Sequence, residues 1–181
     1  MADLFPTVKG WGSGYDRQEV EEFFDRARSA YEDGSQEMDA GDVRTAAFEL
    51  TRGGYDPAAV DAALDRLEAA FVQRRRADHI AVAGQEHWME QVAERATTLY
   101  PRLVRPAGER FAPPRRGRGY QAAAVDAVLD KLVDYFDAGA PLTASQLRSA
   151  TFPAARGSRA YAEGPVDAFL DRAVDVLLAV E

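Results

Sequence analysis

The stretch Phe48 to Phe71, FELTRGGYDPAAVDAALDRLEAAF, decides the fold. Asp56 is placed to cap a helix, because its carboxylate can accept from the free backbone N–H groups of a first turn. Pro57 then takes the first helical position, where its missing N–H costs nothing. Val60, Leu64, Leu67 and Phe71 follow at spacings of four, three and four, which is one apolar stripe on a helix. Gly54, just before Tyr55, suits a sharp turn and is expected to adopt a positive φ.

Working outward, the same layout occurs four times. An aromatic residue opens each copy, a Gly/Arg/Pro-rich loop leads to a tyrosine, and a helix signature follows. The copies run from Phe5 to Tyr15 with VEEFFD (20–25), and from Phe48 to Tyr55 with VDAALD (60–65). The third runs from Phe111 to Tyr120 with VDAVLD (125–130), and the fourth from Phe152 to Tyr161 with VDAFLD (166–171). Internal repetition sets architecture before any single residue does. The signature positions are Tyr15, Val20 and Phe24; Tyr55, Val60 and Leu64; Tyr120, Val125 and Leu129; Tyr161, Val166 and Leu170. The first helix adds Phe23, Ala27 and Tyr31 to its stripe, with Asp16 as cap and Glu19 as a capping-box partner three residues on. The third adds Val128, Leu132 and Phe136; the fourth adds Phe169, Ala173 and Leu177. Gln121 and Ala162 stand where the cap would be, so those helix starts lose about 1 kcal/mol each. Gly14 and Gly119 match Gly54, whereas the fourth copy has Ala160.

Two copies carry a further element. Residues 39–48 and 143–152 match position by position, and Asp39 and Thr143 can cap short helices that turn Val43 and Leu147 inward. Tyr15 and Tyr55 are 40 residues apart, Tyr55 and Tyr120 are 65, and Tyr120 and Tyr161 are 41. The spacing predicts two pairs: residues 1–76 with copies at 5–31 and 39–76, and residues 100–181 with copies at 111–138 and 143–181. Residues 77–99, with Ile80, Val82, Trp88, Met89, Val92 and Leu99, read as a connecting helix bent near Gly84 and ended by Pro101. Arg74 to Arg76 are expected at a helix end, where cations suit the dipole. Amphipathic helices of this length need tertiary packing. The expected class is therefore all-α, an assembly of helices with ordered connecting loops.

Composition narrows the function. The 181 residues are 46% hydrophobic and 29% charged, with no cysteine, which excludes disulfides and thiolate metal sites. No run of about 20 apolar residues could span a bilayer, and the first residues lack a signal-peptide layout; the expected address is the cytoplasm. A net charge of −8 argues against general nucleic-acid binding. The charge is uneven, however. Residues 16–42 hold ten acids against Arg17, Arg26 and Arg28, while residues 102–118 hold six arginines against Glu109 alone.

The pattern of aromatic, basic loop, Gly-Tyr, and V-[D/E]-x-x-[L/F]-D resembles the DivIVA domain, over Phe5–Tyr31, Asp39–Phe71, Phe111–Phe136 and Thr143–Leu177. TRGGYDPAAVDAALD (51–65) is the copy most similar to it, and the arrangement is similar to DivIVA-domain repeat proteins of actinobacteria. The resemblance implies a scaffold of bacterial division sites and cell poles, with helices paired through interlocked loops. It also implies partner or membrane contact through an apolar and a basic residue before each Gly-Tyr, which would place the chain at the inner face of the membrane or septum. Arg118 and Arg159 stand on the basic position, and the apolar position holds Gly12, Arg52, Gly117 and Ser158. Trp11, one residue off that register, is the apolar wedge the chain offers, with Lys9, Arg52, Arg115 and Arg116 as further basic loop residues. A protein partner is expected, with self-association and peripheral membrane contact as further expectations.

No catalytic, cofactor or metal site is expected. Acids four apart on each helix (Glu21 and Asp25, Asp61 and Asp65, Asp126 and Asp130, Asp167 and Asp171) read as solvated faces beside Arg26, Arg66 and Arg172. The tyrosines read as plugs whose hydroxyl needs one partner. His79 and His87 lack a metal-site pattern. No G-x-S-x-G elbow or Walker lysine occurs. The expected function is a non-enzymatic binding module. The alternative is a small-ligand protein or enzyme with a pocket near residues 86–100, lined by His87, Trp88 and Tyr100.

Overall fold

A computed structural model of the chain describes residues 3–9, 12–35 and 37–181. It is mostly helical, with only short strands. In chain order the elements are β1 (Ser13–Tyr15), α1 (Arg17–Asp33), α2 (Ala40–Arg44), β2 (Leu50–Arg52), α3 (Pro57–Ala83), α4 (Gln85–Thr97) and α5 (Tyr100–Leu103). Then come β3 (Gly119–Gln121), α6 (Ala122–Ala138), α7 (Ala144–Arg148), β4 (Ala154–Ala155), β5 (Ala160–Tyr161) and α8 (Glu163–Val180). The chain divides into two compact units, Met1–Asp78 and His79–Glu181.

In the first unit the loop before α1 crosses the loop before α3. β1 pairs antiparallel with β2, Gly14 opposite Thr51, and both Tyr15 and Thr7 bridge to Tyr55. The Tyr15 N–H donates to the Tyr55 carbonyl at 2.9 Å, and the Tyr55 N–H returns the bond to the Tyr15 carbonyl at 2.8 Å. The Asp16 N–H donates to Glu49 O at 2.7 Å and the Asp56 N–H to Pro6 O at 2.8 Å. The second unit makes matching bonds. Tyr120 pairs with Ala154 on one side and Tyr161 on the other. The Gln121 N–H donates to Pro153 O at 2.8 Å, and the Ala162 N–H to Ala112 O at 2.9 Å.

The glycines before the tyrosines serve this crossing rather than a left-handed turn. The positive φ values fall on other glycines, such as Gly53 and Gly117. A Cβ on Gly14 would lie 2.2 Å from Tyr55 O, one on Gly54 2.4 Å from Tyr15 O, and one on Gly119 2.1 Å from Tyr161 O. The requirement is close backbone approach. The fourth copy enters differently, through a 3₁₀ turn at Gly157–Arg159, and Ala160 pairs with Gln121 without a glycine.

The caps follow the sequence in part. Asp16 accepts from Gln18 N and Glu19 N, while Gln121 and Ala162 make no side-chain cap. Asp39 and Thr143 both form capping boxes, and Val43 and Leu147 are buried. Glu19, however, closes no box. Its carboxylate accepts from the Glu49 N–H at 2.8 Å, because the Asp16 N–H is already committed to the neighbouring loop.

Val20, Tyr55 and Val60 form one buried cluster, with Phe5, Tyr15, Phe24, Phe48 and Leu64 packed against it. Phe23, Ala27, Ala30, Val43 and Phe71 form another. Ala30, not Tyr31, closes the stripe of α1; Tyr31 lies partly exposed against the Phe71 ring, centroids 5.7 Å apart. Glu68 is buried between these helices and accepts both Arg44 Nε (2.9 Å) and an Arg44 terminal nitrogen (2.7 Å). In the second unit Val125, Leu129, Leu132, Val166, Phe169 and Leu177 are buried. The end of α8 is enclosed on every side rather than along one stripe: Val174, Val176, Leu178 and Ala179 are buried as well, against α4 and α7.

Residues 77–83 continue α3, so Arg74 to Arg76 lie inside a helix; Arg74 packs over the Tyr31 ring at 5.1 Å. Gly84, with φ 87°, separates α3 from α4. Pro101 opens the short α5 instead of ending a helix. Val82 and Met89 are exposed, whereas Trp88, Val92 and Leu99 are buried.

The two kinds of glycine separate in a denaturation experiment. Gly119→Ala is expected to lose about 2–3 kcal/mol, because backbone must move to admit a methyl group. Gly53→Ala, with open space around its Cβ, is expected to lose about 1 kcal/mol through φ strain alone. Equal losses would remove the close-approach explanation.

Candidate functional site

Each tyrosine hydroxyl reaches across the crossing to the acid that follows valine in the opposite helix. The Tyr55 hydroxyl donates to Glu21 and accepts from the Leu4 N–H at 3.1 Å. The Tyr161 hydroxyl donates to Asp126 at 3.0 Å and accepts from the Arg110 N–H at 3.1 Å. Tyr15 meets Asp61 and Tyr120 meets Asp167 in the same sense. Burial raises all four phenols above their ordinary pKa of 10.0, and the facing carboxylates raise them further. These acids are therefore hydrogen-bond partners, Asp126 buried and Glu21, Asp61 and Asp167 exposed, and the tyrosines act as clasps between loop and helix. Asp130 is also engaged, by an Arg110 terminal nitrogen at 2.5 Å.

Arg110 shows that the basic stretch 102–118 is of two kinds. Its guanidinium is buried, donating to Asp126 O at 2.9 Å and to Asp130, with its Nε 3.3 Å from Arg105 O. Arg102 lies 4.8 Å over the Phe111 ring and donates to Arg110 O at 2.7 Å. Burial lowers its pKa, and Arg105 and Arg172 lower it further. These two arginines build the loop; they are not offered to a partner.

Arg115, Arg116 and Arg118 are exposed, as is Arg159. The register that sets Gly119 opposite Ala155 brings a fifth arginine, Arg156, beside Arg118 at one end of the ladder, whereas the pairing of Gln121 with Ala160 leaves Arg159 at the other end. Sequence reading passed over Arg156; the short loop that follows Ala155 contains it, but only strand pairing shows that it joins Arg118. None of the five makes an ion pair among the described residues. No acid occurs in residues 111–125 or 149–162. In the first unit the matching end of the ladder carries Arg52 opposite Ser13, with Lys9 exposed nearby in sequence. Trp11 lies outside the described residues.

Of the residues expected to line a pocket near 86–100, Trp88 is buried, while His87 and Tyr100 are exposed. Trp88 is 2% exposed and its indole N–H donates to Ala179 O at 3.1 Å, so it fills the space between α4 and α8. Tyr100 donates to Asp137 at 3.2 Å. His79 stacks on His87 across the Gly84 break, centroids 5.2 Å apart. Among the described residues no group of three His, Cys, Asp or Glu is arranged to hold a metal. No helix among them is long and apolar enough to cross a membrane.

Two measurements distinguish structural from presented groups. Arg110→Ala is expected to cost about 3 kcal/mol, since it strands the buried Asp126, while Arg116→Ala should stay within about 0.5 kcal/mol. Stability should also fall as pH rises above the ordinary tyrosine value of 10.0. There the unfolded chain has released phenol protons that the folded chain retains, so the slope is negative. Replacing Tyr15, Tyr55, Tyr120 and Tyr161 by Phe should flatten that slope; an unchanged slope would dismiss the clasps as its source.

No family model matches this chain, and no curated protein or solved structure matches it either.

Proposed function

We propose that the chain is a non-enzymatic binding module, related to the DivIVA scaffolds of bacterial division and polar growth. In this reading it is built from four loop–helix copies in two internal pairs. It recognises a partner protein or an anionic membrane surface, at the inner face of the membrane or septum, through its basic loops. The observation that carries the reading is the group of exposed arginines around β3: the cluster of Arg115, Arg116, Arg118 and Arg156, with Arg159 at the other end of the strand. Arg118 and Arg156 share one end of a short sheet, and Arg115 and Arg116 lie just before Arg118 in sequence. All five are exposed and within segments that contain no acid, on a chain of net charge −8. Folding alone does not call for such a concentration, because surface cations of one sign repel each other. The crossed loops hold the cluster in place, since β3 is paired on both edges.

The pairing reading has its own support. The bonds around Tyr15 and Tyr55 have counterparts around Tyr120 and Tyr161, and each tyrosine meets an acid of the opposite helix. A chain with two such crossings needs no second chain to complete either one.

Vesicle co-sedimentation tests the binding reading. Vesicles with anionic headgroups should retain the chain, and neutral vesicles should not. Each basic side chain near an anionic surface contributes about 1 kcal/mol, so Arg118→Ser with Arg156→Ser should weaken retention about 30-fold. If no anionic vesicle binds and a tagged chain in its native cell is diffuse with no captured protein, the reading fails.

A further inference from the structure

The first unit carries a groove whose chemistry is the reverse of the arginine cluster. Phe23 and Phe48 form its floor, with ring centroids 5.7 Å apart. Glu19, Glu22 and Glu49 stand exposed around it, and Arg26 is the one cation in the lining. Arg26 lies 5.9 Å over the Phe23 ring, so the floor already takes a guanidinium by cation–π contact. Neither Glu22 nor Glu49 is held by an ion pair among the described residues.

The two units differ at these places although their crossings share the same bonds. The bond from Asp16 N to Glu49 O has its counterpart from Gln121 N to Pro153 O. Counted from that bond, Glu19 and Glu22 of α1 correspond to Ala124 and Ala127 of α6, and Glu49 to Pro153. The second unit thus lacks the acidic rim. Conversely, Arg118 corresponds to Ser13 of the first unit, while Arg156 corresponds to Arg52. One frame has been given an acidic groove with an aromatic floor in one unit and an acid-free arginine cluster in the other.

We propose that the arginine cluster of one chain docks in the groove of a second copy, giving head-to-tail self-association. Guanidinium groups satisfy both features of the groove at once: they pair with carboxylates and stack on aromatic rings. Because the two surfaces are different and lie on the same chain, the contact is heterologous. It leaves one groove and one cluster open after each addition, so it extends into a ring or a filament. The inference rests on the binding-module reading and names the partner of the basic loops as the chain itself. Its strength falls with salt, because the contact charges are exposed and screened within about 10 Å at 0.1 M.

Sedimentation of the full chain tests this. At about 50 mM salt, species heavier than the 19.8 kDa chain should grow with concentration, and they should disappear at about 500 mM. Glu22→Gln with Glu49→Gln should give monomer, and so should Arg118→Gln with Arg156→Gln, each with an unchanged circular dichroism spectrum. Mixing the two variants should restore a 1:1 dimer that grows no further, because only one intact groove and one intact cluster remain. A variant pair that stays monomeric when mixed overturns the proposal, as does a wild-type chain that is monomeric at every concentration in low salt. A monomeric chain that still binds anionic vesicles would overturn self-association while leaving the binding-module reading standing.

Discussion

The crossing of two backbone loops at a glycine–tyrosine step is the constraint on which the rest of the structure depends. At Gly14, Gly54 and Gly119 the opposing carbonyl lies so close that no side chain fits. That contact lets Tyr15 and Tyr55 exchange both backbone bonds, and it aims each phenol at a carboxylate on the opposite helix. Buried hydroxyls need a partner, and an unmatched one costs about 1–3 kcal/mol. The crossing therefore sets the rotation of each helix as well as its position. Val20, Val60, Val125 and Val166, one residue before the acids, are all fully buried as a result.

The second unit adds a charge to the same frame. Where the first unit places the Leu4 N–H on a tyrosine hydroxyl, the second places that of Arg110, whose guanidinium then reaches Asp126 and Asp130. A buried arginine held by a backbone carbonyl and a carboxylate is consistent with the rule that interior charges must be paired. It also divides the arginine-rich stretch into residues that secure the loop and residues that face outward. The basic character left for recognition is narrower than composition suggests, and it sets Arg118 and Arg156 side by side at one end of β3 and β4.

Much of this was legible in the residues. Asp16, Asp39 and Thr143 act as caps, and the absence of capping at Gln121 and Ala162 follows from their side chains. The apolar stripes were readable because helical periodicity is local. The misreadings have a common cause. Glu19 looks like a capping-box residue until a second loop supplies Glu49 as its partner. Glu21 and Asp126 look like surface acids until a tyrosine 34 or 35 residues away arrives. Gly14 and Gly54 look like turn residues until the opposing carbonyl is seen. Arg156 is an ordinary loop arginine until strand register sets it beside Arg118.

By itself, then, the sequence determined the helices, their caps, their buried faces and the uneven distribution of charge, since each of these depends on residues within a turn or two of one another. Tertiary structure alone decided which glycine is needed for space, which acid receives a phenol, which arginine is buried and which two, Arg118 and Arg156, stand side by side. Those outcomes depend on groups brought near by the crossing of distant loops, and no local pattern encodes the partner's position.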